Sequence, residues 1–232
     1  MSRQPNSQAQ QNAHAFIRQK ILDGDYAGGS WLKPQEIADE LKVSRMPVRE
    51  ALRGLEVEGL VTIRPNRGAV VTELAVTDVD DLFEIRANLE VLTARSAAQF
   101  LNRQAIAEID RLRLAMDGAR SDSKEWLKAH NTFHDFISNL SGRKRLLLEI
   151  DRARALIQPY IRMYIDVYGT PELPAYEHSE LVTAFLSKDP GTIEQSFRSH
   201  VMETRDRVLK FLKQHYEYRA SLAPKKKRLL AA

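Results

Sequence analysis

Two sets of side chains in this sequence have the type and spacing to do chemistry. The first is Arg45, Arg49 and Arg53, each four residues from the next, so a helix through them shows all three as one stripe. Beside it, Val48, Leu52 and Leu55 recur at helical spacing and form an apolar stripe. Guanidiniums set along a helix suit phosphates and guanine edges, because their planar fork can meet O6 and N7 together. The second set is histidine. His130 and His134 lie one turn apart in His130-Asn131-Thr132-Phe133-His134, with His178 and His200 further on. That spacing puts two imidazoles on one helix face, as a metal site requires. Neutral imidazole suits zinc, nickel, copper or iron. The chain has no cysteine, which excludes disulfides, thiolate metal sites and cysteine nucleophiles.

The arginine stripe needs a short helix presented at a surface, and the flanking residues supply one. Ser44 is a good N-cap, whose hydroxyl can accept a first-turn N–H. Pro47 falls within the first turn, where a missing N–H costs little. Gly59 ends the helix. Upstream, Phe16, Ile17, Ile21 and Leu22 predict a helix ending near Gly24. Glu36–Leu41 predicts a second, with Lys42-Val43 as the turn into the third. Downstream, Val61–Arg64 and Ala69–Thr72 read as two strands, joined by the turn residues Pro65-Asn66-Arg67-Gly68. The sum is a winged helix-turn-helix with Arg67 at the wing tip, whose third helix would meet base edges with its N-terminal residues. The bland alternative is a solvated helix face. Agreement of cap, turn and wing in order and spacing argues against it.

With 232 residues the chain has room for two modest domains, and at 43% hydrophobic and 28% charged it can build a core. A net charge of +4 permits nucleic-acid binding without suggesting it. No apolar run approaches the roughly 20 residues that span a bilayer. The first eight residues show no apolar signal region, so a cytoplasmic protein with no membrane partner is the simplest expectation. Residues 1–9 are expected to be disordered, 10–73 to form the DNA-binding domain, 77–218 a helical domain, and 219–232 a basic flexible tail. Helices are predicted over 77–101, 105–120, 124–140, 143–168, 175–187 and 190–218, and no internal repeat is visible. His178 then opens the fifth of these and His200 lies inside the sixth. Packed antiparallel across a bundle, the helices would bring all four histidines to one centre. On spacing alone, a satisfied histidine pair explains the motif as well.

Val43 to Arg53, followed by Leu55-Glu56, Glu58-Gly59-Leu60-Val61 and Asn66-Arg67-Gly68-Ala69, resembles the N-terminal domain of GntR-superfamily repressors. Leu82 to Arg86 with Leu89-Glu90, then Phe133-His134, His178, Asp189 and His200, is similar to the FCD effector domain of the FadR subfamily. The resemblance covers roughly residues 10 to 218, and six helices rather than seven point to its VanR-like branch. It implies a mainly α fold: a winged helix-turn-helix followed by an all-α six-helix bundle. It implies a homodimer on a double-stranded DNA operator of two-fold symmetry, and a small organic acid as effector. It also implies a divalent metal held by an aspartate and three histidines. His134, His178 and His200 match those histidines, but the aspartate position is His130. Either His130 replaces the carboxylate or Asn131 ligates instead. Zinc is the first expectation, with nickel and manganese as alternatives.

The same resemblance assigns DNA contact to Arg45 and Arg49, and the wing to Arg67 and Gly68. Gln35 stands where some members carry a contacting arginine. Ser44, Met46, Pro47 and Arg53 complete the expected DNA surface. Arg86, inside an otherwise apolar helix, needs a partner, either Glu90 or a ligand carboxylate. Asn131 and Arg162 are further effector candidates, and Tyr160 and Tyr164 weaker ones. A rival reading is a metal-dependent hydrolase built on the histidines. It lacks the glutamate of a His-Glu-x-x-His motif, since Asn131 follows His130, and no Ser-His-Asp or glycine-rich phosphate motif is present. Another rival is an architectural DNA-binding protein without effector sensing, which a six-helix domain with a polar centre disfavours.

Overall fold

The computed structural model describes residues 5–169 and 175–222. The first domain runs α1 (Pro5–Leu22), β1 (Trp31–Leu32), α2 (Pro34–Leu41), α3 (Arg45–Val57), β2 (Val61–Arg64) and β3 (Gly68–Val71). Helix α1 starts inside the stretch expected to be disordered. Its first turns carry no apolar periodicity to reveal them, and an i,i+4 pair, Gln8 Nε2 donating to Asn12 Oδ1 at 2.9 Å, supports them instead. The helix-turn-helix bend falls where expected. Lys42 adopts φ 54°, and its N–H and that of Val43 return to the end of α2. Buried Val48, Ala51, Leu52 and Leu55 seat α3 against α1, so the arginine stripe is left outside.

The wing is an antiparallel sheet of order β1-β3-β2. Its third strand, β1, has two residues and no alternation long enough to read from sequence. Strand β3 begins at Gly68 rather than Ala69. Gly68 pairs with Arg64 and has φ +107°, and a Cβ there would collide with the Leu32 carbonyl of the neighbouring strand.

The helical domain comprises α4 (Val76–Ala97), a 3-10 turn (Ala98–Phe100), α5 (Arg103–Gly118), α6 (Ser123–Asn139), α7 (Lys144–Tyr168), α8 (Ala175–Ser187) and α9 (Pro190–Leu222). Helix α4 starts a residue early because Ala75, not Thr77, is its N-cap. The Ala75 N–H donates to the Asp78 carboxylate at 3.0 Å. Two polar breaks in the sequence prove to be caps: Asn102 accepts from the Ala105 N–H, and Asp122 from those of Lys124 and Glu125. Helix α9 runs to Leu222, beyond the expected start of the tail. The basic run Pro224–Arg228 and the break at Thr170–Pro174 lie outside the described residues. No described helix is long and apolar enough to cross a membrane.

Helix α4 packs against α9, α7 and α6, and α8 packs against α9 and α5. Helix α7 also forms the seam to the first domain. Ala155 and Leu156 join the DNA-binding core, and Arg18 of α1 meets Asp151 at 2.9 Å. The linker is clamped where the Leu74 N–H donates to Tyr160 Oη at 2.7 Å.

Candidate nucleic-acid interface and metal centre

The start of α3 and the wing border one groove of about 660 Å³, lined by Gln35, Ser44, Arg45, Arg49, Arg53 and Arg67 among others. The cations around it fall into two groups. Arg53 is held by Glu50 at 2.6 Å and Lys33 by Glu36 at 2.6 Å, while Gln35 donates to Asp39 at 2.7 Å. Arg45, Arg49, Arg64 and Arg67 are exposed and meet no acidic partner among the described residues. Arg64 was missed at the level of sequence. The alternating burial of β2 places it outward, which a strand reading of Val61–Arg64 could have shown. Asn66 takes the left-handed conformation at φ 61° and turns the wing tip so that Arg67 faces the groove.

Ser44 occupies the N-cap position with extended backbone, but its hydroxyl makes no capping bond, contrary to expectation. The third helical residue is Pro47, which has no N–H to offer. The Ser44 hydroxyl is therefore exposed at the groove. Pro47 itself is buried, and Met46 beside it is 60% exposed. Gly68 acts through its backbone, letting β3 approach β1.

In the helical domain all four histidines converge. His130 and His134 come from α6, His178 from α8 and His200 from α9, and one ring nitrogen of each lies within 4.8 Å of the others. Ring centroids of His130 and His134 are 4.4 Å apart, and those of His178 and His200 4.7 Å. His130 thus joins the cluster at the position where the resemblance implies an aspartate. Burial holds His130, His134 and His200 well below the ordinary imidazole range, with the neighbouring imidazoles and Arg86 adding to it. Burial likewise pushes His178 down to about 4. The rings are therefore neutral at pH 7, the state in which imidazole binds a metal.

His130 Nδ1, His134 Nε2 and His178 Nε2 are buried and accept or donate no hydrogen bond within the protein. Buried polar atoms are normally paired, so three such atoms facing one another call for a missing partner. A divalent cation fits them. On the far side of its ring, His134 Nδ1 lies 4.0 Å from Glu90 Oε2, so that carboxylate stands behind one ligand.

Arg86 resolves in favour of an internal ion pair. Its Nε donates to Glu90 Oε1 at 2.7 Å, and each residue is 2% exposed. Arg154 of α7 completes the arrangement, reaching Glu90 at 3.4 Å and Asp135 on its other side. Burial opposes the charge on Glu90, but Arg86 and Arg154 together hold its carboxyl below the usual range. Arg154 was also missed from sequence. Its signal was an arginine in the apolar stripe Ile150, Ile157, Ile161, Ile165. Arg86 also borders the small space, about 20 Å³, beside His130, His178 and His200.

Asn131 and Arg162 lie outside that space. Asn131 donates to Gln158 of α7 at 2.9 Å, and Arg162 is paired with Asp166 at 2.8 Å. Both line the cleft between the two domains. One position along α6 from His130 points a side chain about 100° away, which removes Asn131 as a ligand on geometry alone. Tyr160 holds the linker, and the Tyr164 ring meets Tyr168 at a tilt and Phe211 edge to face.

Residues 9–71 match the bacterial regulatory proteins of the gntR family, and residues 81–203 match the FCD domain. The HTH-type transcriptional repressor RspR of Escherichia coli K12 is 24% identical over 208 residues, covering 88% of this chain and 90% of that protein. The Nta operon transcriptional regulator of Aminobacter aminovorans is 28% identical over 186 residues, covering 80% and 87%. A probable D-xylose utilization operon transcriptional repressor of Paenarthrobacter nicotinovorans is 27% identical over 193 residues, covering 80% and 82%. Among solved structures, E. coli McbR/YncC superposes with a TM-score of 0.78 at 21% identity, over 90% of this chain and 98% of that one.

Proposed function

Since the chain belongs to the GntR family, with an FCD domain after its helix-turn-helix, it is a DNA-binding transcriptional regulator and not an enzyme, and we propose that it is a metal-dependent one. The observation that carries this reading is the convergence of four neutral imidazoles from three helices, His134, His178 and His200 buried and His130 partly so, three of them with orphaned ring nitrogens. His130, His134, His178 and His200 would hold the ion. Four neutral nitrogen ligands suit zinc first and nickel next, and suit manganese, which favours oxygen ligands, least of the three. The ion would supply positive charge and a ligand anchor at the core of the helical domain. Glu90, 4.0 Å behind His134, offsets the charge of Arg86 and Arg154.

DNA is met by α3 and the wing of each protomer of a homodimer, on an operator of two-fold symmetry. Arg45 and Arg49 take the major groove, while Arg67 at the wing tip and Arg64 take backbone or minor groove. Having no acidic partners, these guanidiniums lose no internal ion pair on binding. Repression is the reading favoured by relatives named as repressors.

A small organic acid is the effector class this site suits. The space beside the histidines holds an ion or a water and little more. A carboxylate would reach the ion only as Arg86 exchanges Glu90 for the ligand. That exchange takes place on α4, the helix that follows the linker directly, and so gives the ligand a route to the readers. A ligand can shift DNA binding only by its differential affinity for the two arrangements.

The test is thermal unfolding of chelator-treated protein with zinc, nickel or manganese added singly, for wild type and His178→Ala. A stabilising ion whose effect disappears in the variant supports the reading. Equal responses in the two proteins, or none, overturn it.

A further inference from the structure

At the junction of the two domains lies a second cavity, of about 240 Å³, separate from both the DNA groove and the histidine centre. Leu60 and Val71 of the first domain form one wall, and Leu156 and Met163 of α7 form the other. Tyr26, Tyr160 and Tyr216 also border it, and among the described residues no lysine or arginine does. Pro159, also in its wall, stands inside α7 and leaves a helical carbonyl without its usual N–H partner. Protein interiors rarely leave so much room between packed apolar side chains.

Among the described residues, Glu73 on the linker is the one carboxylate that borders this cavity, and His215 is the one imidazole. Glu73 is exposed, lies against the turn at Gly28 and Gly29, and has no ion-pair partner among the described residues. Burial pushes the Tyr160 hydroxyl up to about 12, so its ring stays a neutral phenol. Apolar walls, tyrosine rings and a carboxylate form an environment that favours an organic cation with an apolar body over a carboxylate.

We propose that this cavity is a second ligand site, independent of the metal, that takes a small aromatic or alkyl ammonium compound. The place matters because the linker is anchored here from both sides. The Leu74 N–H donates to Tyr160 Oη at 2.7 Å, and the Leu74 carbonyl accepts from Tyr216 Oη at 3.4 Å. A guest between these rings and the first domain bears directly on the angle at which α3 is presented. The chemistry is opposite in sign to that of the histidine centre, so the two sites sort their ligands by charge.

The experiment titrates the full chain with three isosteric probes: phenethylamine, 2-phenylethanol and phenylacetate. The amine should bind saturably, tighter than the alcohol by roughly two- to fivefold, the range of a half-exposed ion pair. The acid should be the weakest competitor for the bound amine. Glu73→Gln should bring the amine down to the level of the alcohol. Met163→Trp, which fills the cavity, should abolish binding of both. His178→Ala should leave the amine and alcohol titrations unchanged, which separates this site from the metal reading. At saturation the amine should change operator affinity about fivefold or more. Glu73→Gln is an exposed substitution and keeps the test decisive where Met163→Trp fails to fold. Absence of saturable amine binding, an acid that displaces the bound amine as well as the alcohol does, or a preference untouched by Glu73→Gln overturns the proposal. So does unchanged operator affinity at saturation.

Discussion

Arginine does opposite things at the two ends of this molecule. In the DNA groove, Arg45, Arg49, Arg64 and Arg67 are exposed and meet no acidic partner among the described residues. In the helical domain, Arg86 and Arg154 are buried and converge on Glu90, with Asp135 closing the outer side. The first arrangement leaves charge on offer to a polyanion and is screened by salt. The second compensates charge internally, because an unpaired guanidinium away from water is not tolerated. A basic residue on a surface stripe is therefore a candidate for binding, and one in an apolar stripe is a candidate for a network around a site.

The largest effect expected from this contrast is at Glu90. Glu90→Gln leaves two buried guanidiniums facing an uncharged amide, and should cost about 3–5 kcal/mol of stability. Urea unfolding of metal-free protein measures it, and a loss below about 1 kcal/mol breaks the comparison.

Next in size is acidity. The histidines bind protons more weakly folded than unfolded, so the unfolded chain holds the extra protons as pH falls below 6.5, and metal-free protein loses stability there. For His178, with its pKa near 4, the loss is about 3 kcal/mol by pH 4. Thermal midpoints between pH 7 and 4.5 should fall steadily, and a flat profile contradicts neutral burial.

Smaller again is the groove. Arg49→Ala should weaken specific operator binding by about 1–3 kcal/mol while leaving the unfolding midpoint alone. Should Arg49 hold a phosphate rather than a base, the slope of log K against log salt also falls by about 1. Fluorescence anisotropy at several salt concentrations reads both. Arg53→Ala sharpens the contrast. Arg53 is already paired with Glu50, so its removal should change operator affinity by under about 1 kcal/mol. An Arg53 effect equal to that of Arg49 removes the distinction between paired and unpaired cations.

Much of this was legible from sequence, for identifiable reasons. The six helices of the second domain announced themselves by apolar periodicity and by the polar breaks between them, two of which, at Asn102 and Asp122, cap the helices that follow. The pair His130 and His134 was legible because helical spacing fixes both rings on one face. That His178 and His200 complete the cluster depends on how α8 and α9 pack, which local pattern does not carry. Strand β1 was hidden because two residues have no period. The Ser44 capping bond was expected from residue type, and failed because Pro47 two residues beyond the first helical position has nothing to donate. Asn131 and Arg162 had suitable chemistry, and only their direction excluded them from the histidine centre.

The account stands on the histidine centre holding an ion with His130 among its ligands. The direct measurement is elemental analysis of protein reconstituted with zinc and dialysed free of excess, for wild type and His130→Ala in parallel. The account predicts about one zinc per chain in wild type and a strong loss in the variant. Wild type with no bound zinc, nickel or manganese after reconstitution contradicts it, and so does a variant that retains the full complement.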